Sequence, residues 1–323
     1  MENIIKIDFL DRKILYELDR NSRKTASEIA KKYRVHRNVI NFRIKKLQEN
    51  GVIRQFVAMI SPTALGLTPY KFYLQLQNLT KEKEETITNL IKELPVYWVA
   101  RVSGQWDYII GVLVKNNKEI NEIKLKVLEL LGEDITKKNI STLVEAPHYY
   151  RTYFLEKEEL PQTKYWIKQQ KSTKTDKTDL EILKLLSNNS RTPIIEIAAK
   201  LKLNVKTIIS RIKKLEKEEI IYDYRISINL EKIGYKFYKC LISLKKGNPK
   251  QIHKFLTYCQ QQKNIIHVVE CLGNWDIEPE IEIESEQKYY ALLQEIREKF
   301  KEIIKNIETI NIIKEYSYIC VPQ

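Results

Sequence analysis

Apolar positions recur twice along this chain in the same order of periods. Phe9, Ile14, Leu15 and Leu18 stand at helical spacing within residues 8–20, and Ile29 and Ala30 mark a short helix over 25–33. Ile40, Ile44 and Leu47 form the inner stripe of a third helix from His36 to Asn50. Gly51 then reads as a helix stop, and Val52–Ile60 alternates in the manner of a strand or hairpin wing. Residues 179–229 repeat this order, with Pro193 opening the second helix and Asn204 placed to cap the third. Three short helices followed by a hairpin predict a winged helix-turn-helix in each copy.

A second pattern follows each of these units. Strands are expected at Tyr70–Leu76, Tyr97–Ser103, Asp107–Val114 and Ile135–Val144, with helices at Lys81–Leu94 and Glu119–Leu131. The later copy runs through Tyr238–Leu244, Pro249–Gln261, Ile265–Leu272, Ile277–Ile283, Gln287–Lys305 and Thr309–Ile319. A βαββαβ order predicts a ferredoxin-like sandwich, one sheet with two helices on one face. The fold class expected for the whole chain is therefore α+β, duplicated.

The duplication is visible in the letters as well as the periods. Arg43-Ile44-Lys45-Lys46-Leu47 returns as Arg211-Ile212-Lys213-Lys214-Leu215, an offset of 168. Residues 11–66 and 179–234 match at about 20 of 56 positions, and a period this long means a repeated module rather than a solenoid unit of about 20–50 residues. The turn Gly104-Gln105-Trp106-Asp107 returns as Gly273-Asn274-Trp275-Asp276, one residue further along. The expected boundaries are a winged helix-turn-helix at 1–61, a ferredoxin-like domain at 62–155, a linker at 156–175, a second winged helix-turn-helix at 176–229 and a second ferredoxin-like domain at 230–323. The linker is polar, contains Pro161, carries Lys164, Lys168, Lys171 and Lys174, and reads as exposed, with Tyr165 and Trp166 available to dock it.

Charge points to the partner. Lys and Arg exceed Asp and Glu by 56 to 42, a formal +14, which favours a polyanion such as nucleic acid. Residues 1–61 carry a net +7 and residues 176–229 a net +3, so the excess is concentrated in the first helical module. The four cysteines all lie in the second half and form no C-x-x-C, so no disulfide framework is expected. Without a signal peptide or an apolar run of about 18 residues, the sequence implies a cytoplasmic protein with no membrane partner.

These elements, the Arg-Ile-Lys-Lys-Leu run and the Gly-x-Trp-Asp turn stand in an order that resembles the Lrp/AsnC family of transcription factors (leucine-responsive regulator and asparagine-synthesis regulator), covered twice. The tandem arrangement looks most like archaeal regulators. The resemblance implies double-stranded DNA as partner and an amino-acid effector bound where the sheet domains meet. It also implies pairing of the sheet domains, here within one chain, with higher homo-oligomers built from such pairs. The sequence departs from the family pattern at Arg34 and Lys202, near the usual turn glycine, at His36 in place of the cap serine, and at Glu219 opposite Gly51.

On the third helix, Arg37, Asn38, Asn41 and Lys45 point away from the inner stripe. Arg suits guanine, Asn suits adenine and Lys suits phosphate, so this face fits a major groove; a solvated basic face is the plainer reading. The second copy offers Lys206 and Lys213, but Val205 and Ile209 replace two of the polar positions. Arg43 and Arg211 are read as phosphate contacts, with a bridge to an acidic residue of the first helix as the alternative. For an effector, the resemblance implies Ser103, Gly104, Asp107, Gly273 and Asp276 around the two turns, with Arg101 as a carboxylate partner. Ordinary hairpin chemistry accounts for the same Gly and Asp residues.

No cofactor, metal or catalytic residue is expected, and the chain is read as a non-enzyme. Its four histidines show no metal spacing, and it has neither a glycine-rich phosphate loop nor a nucleophile elbow. Siroheme decarboxylases resemble the same family; only Tyr97, Arg101 and His267 hint at them. A sequence-neutral, chromatin-shaping protein is a further alternative with the same DNA-binding residues.

Overall fold

The computed structural model describes residues 4–155, 163–245 and 248–318. The first head comprises α1 (Phe9–Arg20), α2 (Ala26–Tyr33) and α3 (Arg37–Glu49), and the strand β1 (Ile53–Ile60) follows. Asp8 and Thr25 cap α1 and α2 in reciprocal capping boxes with Asp11 and Glu28. Arg34 ends α2 at φ 56° and Lys202 does the same at 54° in the second copy, so the departures from glycine keep the left-handed turn at some strain. Glu219 likewise adopts φ 53° where Gly51 has 70°.

The first sheet domain contains β2 (Thr68–Leu76), α4 (Lys81–Glu93), β3 (Val96–Ser103), β4 (Tyr108–Val114), α5 (Asn117–Leu131) and β5 (Ile135–His148). A connector strand β6 (Lys164–Ile167) precedes the second head: α6 (Lys177–Asn188), α7 (Ile194–Leu201), α8 (Val205–Lys217) and β7 (Ile221–Ile228). The chain ends with β8 (Lys236–Leu244), α9 (Pro249–Gln261), β9 (Ile265–Leu272), β10 (Ile277–Ile283), α10 (Glu286–Lys299) and β11 (Ile304–Tyr318).

The wings differ from the expected hairpins. Each head contributes one strand, and β1 pairs antiparallel with β7 to make a single shared ribbon. Val57 lies opposite Arg225, its own repeat equivalent, so the pseudo-twofold axis crosses the ribbon there. The packing is reciprocal: Ala58 and Ile60 join the core of the second head with Ile182 and Leu183, while Ile226 and Ile228 join the core of the first with Ile14 and Leu18. A lone strand leaves its edge unpaired, and the other copy supplies the missing partner.

The two four-stranded sheets, β5-β2-β4-β3 and β11-β8-β10-β9, also share their edges. β3 pairs with β11 and β9 with β5, closing eight strands into a barrel. Helices α4 and α5 cover one outer face through Ile87, Leu90, Ile123 and Val127, and α9 and α10 cover the other through Phe255, Tyr289 and Leu293. Inside, Tyr73, Trp106 and Trp275 meet edge to face, with centroids 4.7–6.1 Å apart.

The connector is not a free tether from residue 163 onward; residues 156–162 lie outside the described ones. β6 pairs with β5, Trp166 is buried with its ring 4.7 Å from Tyr97, and Gln170 Nε2 donates to Ser61 Oγ at 2.8 Å. Aromatic burial outweighs the polar composition from which an exposed linker was expected. Cys240, Cys259 and Cys271 are buried free thiols, and Cys320 lies outside the described residues. Among the described residues, no helix is long and apolar enough to cross a membrane.

Candidate nucleic-acid interface and barrel interior

Each third helix is fixed from below and free above. Ile40, Ile44 and Leu47 are buried in α3, as are Ile208, Ile212 and Leu215 in α8. His36 Nδ1 accepts from the Asn38 N–H at 3.2 Å, so histidine performs the capping task expected of serine; Asn204 Oδ1 accepts from the Lys206 N–H at 2.8 Å. Arg37, Asn38, Asn41 and Lys45 are all exposed on one surface of α3, and Lys206 and Lys213 are exposed on α8. Lys45 makes only a long i,i+4 contact to Glu49, 3.6 Å.

Phe42 was overlooked by the sequence reading. It is 66 % exposed beside Arg37, Asn38 and Asn41, and Val39 is exposed with it. An exposed aromatic on a basic helix suits apolar contact with a base edge, such as a thymine methyl. The signal available was an apolar residue off the i, i+4 stripe. Ser210 and Thr207 occupy these places in α8.

The repeated arginines occupy a different environment. Arg43 Nη1 reaches Asp8 at 2.6 Å and Asp11 at 2.9 Å; Arg211 Nη1 reaches Asp176 and Asp179, each at 2.7 Å. The bridge to the first helix, the alternative weighed for these residues, is present in both heads. The carboxylates hold each guanidinium's pKa above its ordinary value. Arg43 remains 27 % exposed, so one bridge orients the helix while leaving an edge of the guanidinium at the surface.

The two Gly-x-Trp-Asp turns close the barrel. Asp107 Oδ2 accepts the Leu76 N–H, and Asp276 Oδ2 accepts the Leu244 N–H, both at 2.7 Å, tying each turn to the neighbouring strand. Trp106 and Trp275 are buried in the interior. Gly104, at φ +125°, lies where a Cβ would come within 2.9 Å of the Thr309 carbonyl, and a Cβ on Gly273 would lie 2.6 Å from Ser141 Oγ. Both glycines thus permit the seam with the other half. Arg101 pairs with Glu84 at 2.6 Å, and Ser103 is exposed beside the first turn. The structure places Arg101, Ser103, Gly104 and Asp107 by the β3–β11 seam and Gly273 and Asp276 by the β9–β5 seam, and their polar groups largely serve the fold.

The interior holds a charged set that the sequence reading missed. Lys71 and Lys239 face Glu278 and Glu280, with Lys71–Glu278 at 2.7 Å and Lys239–Glu280 at 2.5 Å. Tyr73 and Trp275 donate to Glu278, and His267 Nδ1 lies 3.1 Å from Glu280. Burial would raise the Glu278 pKa, yet Lys239 and Lys71 outweigh it and hold the group down to about 2. A second set, Asp19, Arg151, Arg225 and Glu282, ties α1, the ribbon and β10 together. Arg151 bridges Asp19 at 2.7 Å and Glu282 at 2.8 Å. Ile277-Glu-Pro-Glu-Ile-Glu-Ile283 alternates like a strand with one wet face, so its glutamates read as solvent-facing; barrel closure turns that face inward.

Two winged heads on a duplicated ferredoxin-like body define the class: a DNA-binding transcription regulator. The chain belongs to the Lrp/AsnC family of HTH-type transcriptional regulators. A model described as winged helix-turn-helix DNA-binding matches residues 8–54 and 175–222. The HTH-type transcriptional regulator FL11 of Pyrococcus abyssi (strain GE5 / Orsay) is 32% identical over 128 residues, 40% of this chain and 82% of that protein. An uncharacterised HTH-type transcriptional regulator of Pyrococcus furiosus is 32% identical over 153 residues, 46% of this chain and 99% of its own length. The siroheme decarboxylase NirDL shares the fold across 98% of this chain and 94% of its own, with a TM-score of 0.62 and 12% identity.

Proposed function

We propose that this regulator binds an asymmetric duplex site as a single-chain pseudo-dimer, with α3 in the major groove of the stronger half-site. The carrying observation is the exposed face Arg37, Asn38, Asn41, Phe42 and Lys45 on a helix held rigidly by Ile40, Ile44 and the Arg43 bridge. The heads are unequal. Arg37 and Asn41 of the first correspond to Val205 and Ile209 of the second, and net charge falls from +7 to +3. Selection of sites from random duplexes tests this directly. A single base-specific half-site beside a weakly specified one is expected, whereas no enrichment supports the sequence-neutral, chromatin-shaping alternative. Affinity should fall steeply with salt as phosphate contacts release counterions.

Control by an amino acid or related small effector belongs to the same proposal. The turns carry it weakly, because Asp107, Asp276 and Arg101 are already engaged.

A second reading, a siroheme decarboxylase, is favoured by the whole-chain likeness to NirDL and by His148, His267 and Tyr97 lining one cavity. That cavity measures about 110 Å³, well below the roughly 300 Å³ at which sites for drug-sized ligands begin. We therefore favour a non-enzymatic regulator without a cofactor. Anaerobic titration with siroheme tests the choice: a shifted Soret band would reverse it.

A further inference from the structure

The cavity lies between the wing ribbon and the barrel, lined by Ile226 and Ile228 from one side and by Lys71, Trp98 and Glu280 from the other. Four polar atoms among its lining residues find no hydrogen-bond partner among the described residues: Tyr97 Oη, His148 Nδ1, Arg225 Nη1 and His267 Nε2. Tyr97, Arg225 and His267 are 5 %, 2 % and 9 % exposed. Buried polar groups are nearly always satisfied, so four orphans around one small space mark a place for a partner outside the chain.

Their chemistry limits that partner. Arg225 uses Nη2 and Nε on Asp19, which leaves the Nη1 hydrogens as free donors of a cation. His267 Nδ1 faces the ionised Glu280, so it carries the ring hydrogen and Nε2 is an acceptor. Burial holds both histidines below their ordinary pKa, and Arg225 adds to this at His148. Tyr97 supplies a hydroxyl, and its ring end sits over Gly111, where a Cβ would approach Cζ to 2.4 Å. Trp98, Trp166 and Phe237 provide apolar wall.

We propose that this cavity binds a small carboxylic acid bearing one hydroxyl or amino donor, its carboxylate on Arg225, its donor on His267, and Tyr97 supplying a further hydroxyl to the same space. The volume suits roughly half a dozen non-hydrogen atoms. The site is separate from the Gly-x-Trp-Asp turns. It touches the heads, because Arg225 belongs to the ribbon and grips Asp19 on α1. A ligand that prefers one arrangement of that bond shifts the heads with it.

The experiment uses the full chain in thermal-shift and calorimetric titrations with L-lactate, L-alanine, propionate and 2-propanol, each to about 10 mM. Lactate or alanine should raise the Tm, and which of them does so identifies the donor. Propionate, lacking the donor, should bind at least about tenfold more weakly, and 2-propanol, lacking the carboxylate, should do nothing. Tyr97→Phe should leave the unliganded Tm unchanged, since its hydroxyl has no partner among the described residues, while weakening the ligand by about tenfold. No shift with lactate or alanine, or a shift indifferent to Tyr97→Phe, would mean that water alone satisfies these groups and would overturn the proposal. DNA binding measured in parallel separates the two readings: ligand binding without DNA binding sinks the regulator reading and leaves the site intact.

Discussion

Ser22 and Ser190, equivalent residues of the two repeats 168 positions apart, meet hydroxyl to hydroxyl at 2.7 Å with both side chains fully buried. Around them the backbone obeys the same symmetry: the Ser22 N–H donates to the Tyr224 carbonyl, and the Ser190 N–H to that of Phe56. Each hydroxyl satisfies the other on the axis. Ser22→Ala should therefore cost about 1–3 kcal/mol by stranding the Ser190 hydroxyl. Adding Ser190→Ala should recover part of that loss, which urea denaturation of both single variants and the double variant would measure. Additive losses would show that the pair is not coupled.

Asp19 departs from this symmetry. Its equivalent is Ser187, and its partner Arg225 stands opposite Val57, so a buried ion pair joins the heads on one side only. Asp19→Ala leaves Arg225 and Arg151 uncompensated and should destabilise the chain by about 3–5 kcal/mol. A loss of unfolding free energy below about 1 kcal/mol in urea denaturation would mean that the guanidiniums find other partners.

On the recognition helix, Arg37→Ala and Asn41→Ala should each relax sequence preference at one base pair, by about 1–3 kcal/mol. Lys45→Ala should instead weaken binding alike on all sequences and flatten the salt slope. Arg43→Ala should lower the stability of the first head as well as affinity, because it releases Asp8 and Asp11. Unchanged stability in that variant would restore a purely phosphate-contacting role.

Acid should loosen the body before it titrates ordinary carboxylates. His148 and His267 are held below the ordinary 6.5 by burial, so the folded state binds fewer protons than the unfolded one. Their contribution is present above pH 6.5 and is lost as pH falls below it. Asp223, pushed up to about 6 by burial, works oppositely: its contribution is present at low pH and lost as pH rises through about 6. Burial raises Glu270 and Glu315 as well, in the same direction as Asp223, but the histidines start from 6.5, so the Tm should rise between pH 5 and pH 7. A Tm higher at pH 5 than at pH 7 would show that the buried carboxyls dominate.

The half-chain of residues 1–158 should not persist as a monomer. It would expose the edges of β3 and β5 and leave β1 without β7. Light scattering should find self-association, and a well-folded monomer would mean that the closed barrel is not required.

Periodicity alone located the helices and nearly all the strands, because each module repeats a local pattern that its own core enforces, although the last helix, expected through Lys305, ends at Lys299. Ile40, Ile44 and Leu47 set the outward face of α3 from spacing, and Arg37, Asn38 and Asn41 follow from it. The tertiary structure decided what those elements meet. Glu278 and Glu280 have the alternation of a wet strand face, and only closure of β3 on β11 and β9 on β5 makes that face an interior. Likewise, Val52–Ile60 reads as half a hairpin, yet its partner is β7 from the other repeat. Spacing along a chain reports which side chains share a face, whereas pairing across 168 residues depends on two edges finding each other in space.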